Sequence, residues 1–380
     1  MNKYLIKELM NVNRGSSPRP IIEFLSDSGY RWLKISDFNM YDRYVYETKE
    51  FIKESGLKNT RHLPAGTLIL TNSATPGIPI FLGRDMCLHD GFLYFTNIKE
   101  DIININFLYY WFLYNRNLIV NQANGSVFKN LKKDIVENFE INVPNMDTQL
   151  KIVEVLDNIN SKIELNNEIN NNLYELMKIK FNDYIENLDE YEESVLSKIA
   201  NYKNGLAMQN YRPVNENGLP VIKIKEMNSG ITSETERCSS DIDEEVIIND
   251  GDVLFAWSGT LCMSIWCGGK AGLNQHIFKV TSNKYPKWFY YFWTLKHLDN
   301  FIEIAAGKAT TMGHIKRTEL DKALVRIPSD KSINEMNNIF EPMLNKYINT
   351  NIENRNLYML RDTLLPKLMN GEIDLDNIEV

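Results

Sequence analysis

Signals for membrane insertion or secretion are missing from this sequence. No apolar run reaches the roughly 18 residues that a membrane-spanning helix requires. The first residues, MNKYLIKELMNVNRG, are too polar to form the apolar core of a signal peptide. We therefore expect a cytoplasmic protein with no membrane partner.

Cysteine is scarce, with four residues in a chain of 380. Cys87, Cys238, Cys262 and Cys267 are irregularly spaced, which excludes the framework of a small disulfide-rich secreted domain. The Cys262/Cys267 pair has no second pair and no histidine couple nearby, so the sequence predicts no zinc site. Reduced thiols are the expectation.

Motifs for catalysis are also lacking. The segment Gly307–Thr310 has the end of a phosphate-binding loop, but Ile302 stands where a glycine is required and Ala309 follows the lysine. We find no Gly-x-Gly-x-x-Gly after a strand, no Asn/Asp-Pro-Pro-aromatic run for adenine methylation, and no Ser/His/Asp or Cys/His arrangement. The sequence thus predicts a chain that is not an enzyme and holds no cofactor of its own.

A strong positive charge is absent too, since the formal net charge is −8. The charge is unevenly distributed, with net values of +2 for residues 1–145, −8 for 146–193, +2 for 194–329 and −4 for 330–380. The acidity therefore lies in two segments. The two longer regions between them are mildly basic, which is compatible with binding a polyanion.

Those acidic segments carry heptad repeats. The first, from Asp147 to about Tyr184, has one phase at Ile152, Ile159, Asn166, Leu173 and Lys180 and the other at Leu156, Ile163, Asn170, Met177 and Tyr184. The second, from Lys331 to about Met369, has Met336, Met343, Thr350, Leu357 and Leu364, and Phe340, Tyr347, Asn354, Arg361 and Leu368. Each position lies 184 residues after its counterpart. The pattern predicts two long coiled-coil helices, with polar residues in the middle of each seam that fix register and a kink at Pro342.

The regions between the helices also repeat once. Lys7–Gly15 resembles Ser197–Gly205, Gly29–Ile35 resembles Gly218–Ile224, Ala65–Ile69 resembles Asp250–Leu254, Phe107–Phe112 resembles Trp288–Trp293, and Lys132–Pro144 resembles Lys316–Pro328. Turn residues before short apolar runs predict strands, and the aromatic runs predict buried helices. The fold class is therefore α+β, with two pseudo-repeated mixed domains separated by two long antiparallel coiled-coil helices.

With this layout, the chain resembles the specificity subunit of a type I restriction-modification system. The resemblance covers the whole length and depends on the domain–helix–domain–helix layout. Its carriers are Leu273–Lys279 (LNQHIFK), the Gly-containing stretch leading to His314–Lys316, and Leu364–Ile373 (LLPKLMNGEI). In the first half, Leu88–Phe92 (LHDGF) stands where the second has Leu273–Ile277 (LNQHI), which predicts different half-sites for the two domains.

The resemblance implies the following organisation. Target recognition domains at residues 1–145 and 188–329 each read one half of a bipartite double-stranded DNA sequence. Helices at residues 146–187 and 330–380, the latter with the C-terminal tail, set the spacing and bind two methyltransferase subunits. Restriction/translocase subunits complete the complex. S-adenosylmethionine, ATP and Mg belong to those partners, and this subunit does no chemistry.

Base readers need Arg, Lys, Asn, Gln, Ser or Thr on loops, with cations for phosphates. Candidates in the first domain are Arg14, Ser16, Ser17 and Arg19 after the first strand; Asn72, Ser73 and Thr75 after the strand at Leu68–Leu70; and Asn124, Ser126, Lys129, Lys132 and Lys133 after the aromatic helix. Candidates in the second domain are Lys203, Asn204 and Arg212; Ser258 and Thr260; and Lys308, Thr310, Thr311, His314, Lys316 and Arg317.

Each candidate has a plainer interpretation as a solvated loop residue, but matching basic groups at residues 126–133 and 308–317 favour DNA contact. We interpret His276 as a satisfied core or edge residue of a strand. The aromatic runs are more typical of core packing than of base stacking, because no Arg or Lys is interleaved.

Two alternative functions stay open. The chain could serve the same role in a type IIB-like methylating and cutting complex, which neighbouring genes would distinguish. It could instead be a coiled-coil scaffold without DNA reading, whose complexes would ignore salt when presented with DNA.

Overall fold

The computed structural model describes residues 2–38, 43–122, 130–214, 218–307, 313–373 and 375. The chain forms two compact units. The first unit contains Met1–Asn160 and Leu360–Val380, and the second contains Ser161–Met359. Each combines β-sheets with helices, which confirms the α+β class. Within the described ranges, no helix is both long and apolar enough to cross a membrane.

The elements of the first half of the chain are short strands followed by helices. In order they are β1 (Asn2–Leu5), α1 (Ile6–Leu9), β2 (Asn11–Arg14), β3 (Leu25–Ser26), β4 (Tyr30–Leu33), β5 (Tyr44–Val45), β6 (Glu50–Ile52), β7 (Arg61–Leu63), β8 (Leu68–Thr71), β9 (Pro79–Leu82), β10 (Met86–Leu88), β11 (Phe92–Thr96), α2 (Ile105–Tyr114), α3 (Arg116–Gln122), α4 (Lys133–Glu137), β12 (Glu140–Val143) and α5 (Met146–Glu186).

The second half follows the same order. It contains β13 (Glu192–Val195), α6 (Leu196–Ile199), β14 (Asn201–Asn204), β15 (Leu219–Ile222), α7 (Ile224–Ser229), β16 (Arg237–Cys238), β17 (Ile247–Ile248), β18 (Val253–Ala256), β19 (Cys262–Ile265), β20 (Ala271–Leu273), β21 (Ile277–Thr281), α8 (Lys287–Lys296), α9 (Leu298–Ala306), β22 (Leu324–Ile327) and α10 (Asp330–Met369). Single turns of 3-10 helix occur in both halves.

Sheet topology confirms the repeat. In the first unit, one sheet has the order β2-β11-β8-β9-β5 and a second has β3-β6-β4-β10-β7. The second unit has β14-β21-β18-β19 and β16-β15-β20-β17. The pairs β4·β10 and β15·β20 are both parallel, whereas β2·β11 and β14·β21 are antiparallel. The two units therefore share a strand arrangement.

One prediction of strand order needs correction. The loop at residues 15–20 follows the second strand, because β1 and the one-turn helix α1 precede β2. β1 pairs antiparallel with β12, more than 130 residues later, and β13 pairs with β22 in the same way. Such short strands depend on a distant partner and give little local signal.

The predicted aromatic helices are core elements. All six residues of Phe107–Phe112 in α2 and all six of Trp288–Trp293 in α8 are buried. Rings stack within each unit; Phe81 lies 5.4 Å from Tyr109, and Trp288 lies 4.4 Å from Phe340 of α10. The core-packing interpretation is confirmed.

The long helices are antiparallel where they pair within the second unit. Asn166 Nδ2 donates to Asn354 Oδ1 at 2.9 Å, the rings of Tyr174 and Tyr347 lie 6.5 Å apart, and Tyr184 Oη lies 2.8 Å from Ser332 Oγ. Rising numbers on α5 therefore meet falling numbers on α10. In the first unit, one apolar cluster contains Ile152 and Leu156 of α5 and Leu365 and Leu368 of α10, and the partly buried Leu364 packs against it.

The heptad phase drifts along α5. Ile152, Leu156, Ile159 and Ile163 are buried, but Lys180 is exposed and Phe181 is buried beside it. An α-helix has 3.6 residues per turn, so a strict repeat of seven rotates by about 20° per heptad. The assignment of Lys180 to the seam was therefore wrong. Helix α10 continues through Pro342, and the kink at this residue stays a prediction.

Polar residues occupy the middle of the seam in the second unit. Asn166 Nδ2 also donates to Glu353 Oε2 at 2.9 Å, and Asn354 Nδ2 donates to Asn167 Oδ1 at 2.8 Å. One layer along, the helix register places Asn170 opposite Thr350. Within the described residues, the buried amide atoms of Asn170 and the hydroxyl of Thr350 have no hydrogen-bond partner.

A buried charge network joins α5 to the body of the first unit. The side chain of Arg43 is 8% exposed and donates to the Asp157 carboxylate at 2.6 and 3.2 Å. Tyr110 of α2 donates to Asp157 Oδ1 at 2.6 Å and accepts from Asn160 Nδ2 at 2.6 Å. Burial raises the pKa of Tyr110, so its hydroxyl keeps the proton that it donates.

Candidate nucleic-acid interface

Four segments of the first unit meet at one place. Beyond β2, Gly15 N donates to Phe92 O at 2.9 Å, and Ser16 N donates to Leu88 O at 3.1 Å. The chain after β2 is thereby fixed against the turn at residues 89–91, which joins β10 to β11. The C-terminal end of the repeated segment Lys7–Gly15 thus lies beside the LHDGF segment.

The loop after β8 joins the same place. Asn72 N donates to Gly91 O at 2.9 Å, and Leu131 N donates to Asn72 O at 2.7 Å. Leu131 immediately precedes the exposed Lys132 and Lys133 at the start of α4. We call this set of residues, 15–17, 72, 89–91 and 131, the first platform.

The second unit has the same backbone arrangement at equivalent positions. Gly205 N donates to Ile277 O at 3.0 Å and Leu206 N to Leu273 O at 2.9 Å. Trp257 N donates to His276 O at 3.2 Å, and Ile315 N donates to Trp257 O at 3.1 Å. These residues, 205–207, 257, 274–276 and 315, form the second platform. Main-chain hydrogen bonds hold both platforms together, so the side chains can differ without changing the backbone arrangement.

A glycine is required where the chain crosses the turn. A Cβ on Gly15 would lie 2.1 Å from His89 O, and a Cβ on Gly205 would lie 2.1 Å from Leu273 O. Both obstacles are backbone atoms, which cannot rotate away. Glycine is thus required at both equivalent positions of the repeat for the same steric reason.

Asp90 is the centre of the side-chain contacts in the first platform. Its backbone oxygen accepts from Arg14 Nε at 2.8 Å and from Asn72 Nδ2 at 3.3 Å. Its carboxylate accepts from Ser17 Oγ at 3.0 Å and lies 3.8 Å from Arg19 Nη2. Residues predicted from two separate loops therefore converge on Asp90, a residue that the sequence did not single out.

A cleft of about 780 Å³ opens beside Asp90. Trp32 and Leu25 contribute its apolar wall, and His89 stands at its edge with the ring 5.8 Å from Trp32. Lys34 and Glu50, which form an ion pair with each other, also line it. Burial lowers the pKa of His89, so its imidazole is neutral at pH 7.

Trp257 has the corresponding central place in the second platform, where the first has Asn72. Its indole Nε1 donates to Asn204 Oδ1 at 2.9 Å. Its ring lies 6.0 Å from His276, 6.4 Å from His314 and 5.6 Å from Phe278. This platform presents aromatic and amide groups where the first presents a carboxylate and cations.

Most of the predicted contact residues that the structure describes lie within these platforms or within two positions of them in the sequence. Arg14, Arg19, Thr75, Lys132, Lys133, Asn204, Arg212, Thr260, Lys316 and Arg317 are exposed, and Ser16, Ser17, Ser73, Lys203 and His314 are half-buried. Asn72 and Ser258 are buried, which gives them a supporting position within the loops. Asn124, Ser126, Lys129, Lys308, Thr310 and Thr311 lie outside the described residues.

In the second unit, the predicted cations Lys203 and Arg317 have partners in the chain. Lys203 pairs with Glu245 and, at 3.6 Å, with Asp243. Arg317 Nη2 donates to Tyr202 O at 2.8 Å, beside β14. Both positive groups therefore already interact with other groups of the chain before any ligand binds.

The interpretation of His276 was wrong in two respects. It lies in the turn before β21 instead of inside a strand, and its Nδ1 has no hydrogen-bond partner within the described residues. Sequence reasoning also missed Asp90, His89 and Trp257. The signal for the first two was present, since LHDGF aligns with LNQHI.

All four cysteines are free thiols. Burial raises the pKa of Cys87 and of Cys267 to about 12, and it also raises the pKa of Cys238 and Cys262. They are therefore protonated and poorly nucleophilic at neutral pH. Across the described part of the chain, no group of three His, Cys, Asp or Glu residues is arranged to hold a metal ion.

Comparison with known families gives a match over most of the chain. The family model described as "Type I restriction modification DNA specificity domain" matches residues 1–175 and 189–357. A second model, "Apolipoprotein B100, insert 9 arm domain", matches residues 124–244, a minor part of the chain.

Individual relatives match as well. The type I restriction enzyme MjaIX specificity subunit of Methanocaldococcus jannaschii is 25% identical over 420 residues, covering 98% of this chain and 93% of the relative. The EcoBI specificity subunit of Escherichia coli is 27% identical over 157 residues, 40% of this chain and 32% of the relative. The solved S subunit of a type I restriction-modification system from M. genitalium has the same fold, with a TM-score of 0.56, 14% identity and coverage of 97% and 95%.

Proposed function

This chain belongs to the type I restriction modification DNA specificity family, and from that membership we propose that each of its two units reads one half of a bipartite DNA target. The observation that carries the proposal is the repeated platform. Four equivalent main-chain hydrogen bonds build the same frame twice, and the side chains on it differ. Identical frames with different side chains suit a protein that reads two different half-sites with one design.

The chain acts as the reader and does no chemistry. Its partners are double-stranded DNA, two methyltransferase subunits and the restriction/translocase subunits. S-adenosylmethionine, ATP and Mg are bound by those partners. The assembled complex acts on DNA in the cytoplasm.

The long helices dock the methyltransferase subunits. Large apolar side chains stay exposed on them, including Leu165 at 52%, Ile179 at 63% and Met359 at 54%. Leu176 and Leu360, which lie 184 positions apart, are 45% and 47% exposed. Apolar side chains at equivalent sites on α5 and α10 support two copies of one partner.

The helices also set the distance between the half-sites. One heptad inserted in each helix, at the level between the Asn166–Asn354 and Tyr174–Tyr347 layers, preserves the seam and adds about 10 Å. The unread spacer should lengthen by about three base pairs at 3.4 Å per pair. A spacer of unchanged length would refute the ruler role.

The deciding experiment is methylome sequencing. A host expressing this chain with its cognate modification subunit is compared with a strain that lacks only this chain. We expect a split motif with methyladenine in both halves to disappear on deletion. If methylation is unchanged while the modification subunit is active, the reader role is refuted and a scaffold role replaces it.

A further inference from the structure

The cleft beside the first platform has an apolar wall and a polar edge. Its lining includes Ile21, Leu25 and the almost fully buried Trp32, with Asp90 and His89 at the edge. Its volume of about 780 Å³ lies in the range of sites that hold small organic groups. A flat heteroaromatic ring edge is the kind of group that such a surface accommodates.

The carboxylate of Asp90 is held in place but is not saturated. Ser17 Oγ donates to Oδ1 at 3.0 Å, which orients the group. Arg19 lies 3.8 Å from Oδ2 and its side chain is 84% exposed, so this ion pair is loose. An ionised carboxylate has about four acceptor positions. Asp90, with 31% of its side chain exposed, therefore has acceptor capacity for an incoming donor.

His89 supplies a hydrogen-bond donor next to this acceptor. Gly91 N donates to His89 Nδ1 at 2.9 Å, so Nδ1 carries no proton in that arrangement. The 3.1 Å approach of His89 Nδ1 to Asp90 Oδ1 is then a close contact and not an ion pair. The neutral ring holds its proton on Nε2, in agreement with the lowered pKa.

The second platform lacks this combination. Gln275 stands where the first platform has Asp90, and Asn274 stands where it has His89. Met208, the equivalent of Pro18, is buried and packs with Val221 and Cys238. A carboxylate beside an open cleft is thus a feature of the first unit.

We propose that Asp90 is a specificity-determining residue of the first unit, whose carboxylate accepts a hydrogen bond from the exocyclic amino group of adenine or cytosine in the major groove. His89 Nε2 and the guanidinium of Arg19 donate to acceptors on the neighbouring base edges. Guanine O6 and thymine O4 repel a carboxylate at this position. The inference rests on the proposed reading function of the unit.

The test is the Asp90→Asn variant of the full chain, assembled with its modification subunit. Binding is measured to duplexes in which each base pair of the bipartite target is changed in turn. Asparagine keeps an acceptor for Ser17 but adds a donor, so guanine or thymine becomes acceptable. We expect discrimination at one position, or two adjacent positions, of one half-site to fall about 5- to 100-fold.

The controls lie in the same molecule. The half-site read by the second unit should keep its preferences in Asp90→Asn. Asp101→Asn removes a charge from an exposed turn of the first unit that is not part of the cleft lining, and it should leave all preferences unchanged. Unaltered preferences in Asp90→Asn, or equal weakening at every position, would overturn the assignment. A wild-type complex without any half-site preference would instead refute the reading function itself.

Discussion

Replacing Gly15 by alanine should impair the reading of one half-site and spare the other. The added Cβ would lie 2.1 Å from His89 O, whereas an ordinary contact of this kind is at least 3.4 Å. The chain after β2 must therefore move by about 1 Å from the turn. That shift displaces Arg14 and Ser17, which both hydrogen-bond to Asp90.

The magnitude follows from the cost of overpacking, which is typically about 1–3 kcal/mol. Expressed in binding, this is a loss of about 5- to 150-fold for the half-site that the first unit reads. Gly205→Ala should produce the equivalent loss at the other half-site, because the same clash occurs with Leu273 O. The reciprocal pair would assign each half-site to its unit.

The assay is competition binding of the assembled complex to duplexes altered in one half-site at a time. Gly307→Ala is the matched control, since its Cβ would meet Glu303 O at 3.6 Å and the backbone is already helical. Equal losses at both half-sites in Gly15→Ala, or no loss in either, would refute the reasoning.

Three further predictions concern stability. Asp157→Asn leaves the 8%-exposed Arg43 without its anion and should lower the free energy of unfolding by about 3 kcal/mol in urea titration; a change under about 1 kcal/mol would contradict a structural role for the pair. Thr350→Val removes a buried hydroxyl without a described partner and should raise the free energy of unfolding by about 1 kcal/mol, whereas destabilisation would indicate a missing partner. Folding lowers the pKa of His89, so the neutral imidazole contributes its full stability above the ordinary pKa of about 6.5, and this contribution is lost as the pH falls below that value. His89→Asn should therefore reduce the decline of the urea midpoint between pH 7 and pH 5, and an unchanged decline would argue against this role of His89.

Local patterns predicted much of the architecture. The heptads of residues 147–184 and 331–369 predicted α5 and α10, because a seam of apolar side chains every 3.5 residues is a property of the chain itself. The aromatic runs predicted α2 and α8, and the internal repeat predicted two units with one topology. The prediction that Lys180 lies in the seam was wrong because an α-helix has 3.6 residues per turn, which a strict repeat of seven residues ignores.

The candidate interface was only partly accessible from the sequence. Loops with Arg14, Ser17 and Asn72 could be identified by composition, but their meeting point could not. That point depends on β11 pairing with both β2 and β8, and on β10 pairing with β4, over separations of tens of residues. Burial of Asn72 and Ser258 likewise follows from neighbours distant in the chain.

The sequence by itself determined the number of units, the two helices with their polar seam layers, and the uneven distribution of charge, since these follow from periodicity and composition. Only the tertiary structure decided that Asp90 and Trp257 stand at the centres of two equivalent platforms. The reason is that main-chain hydrogen bonds between distant segments build each platform, and any sequence able to form those strands can carry different side chains upon it.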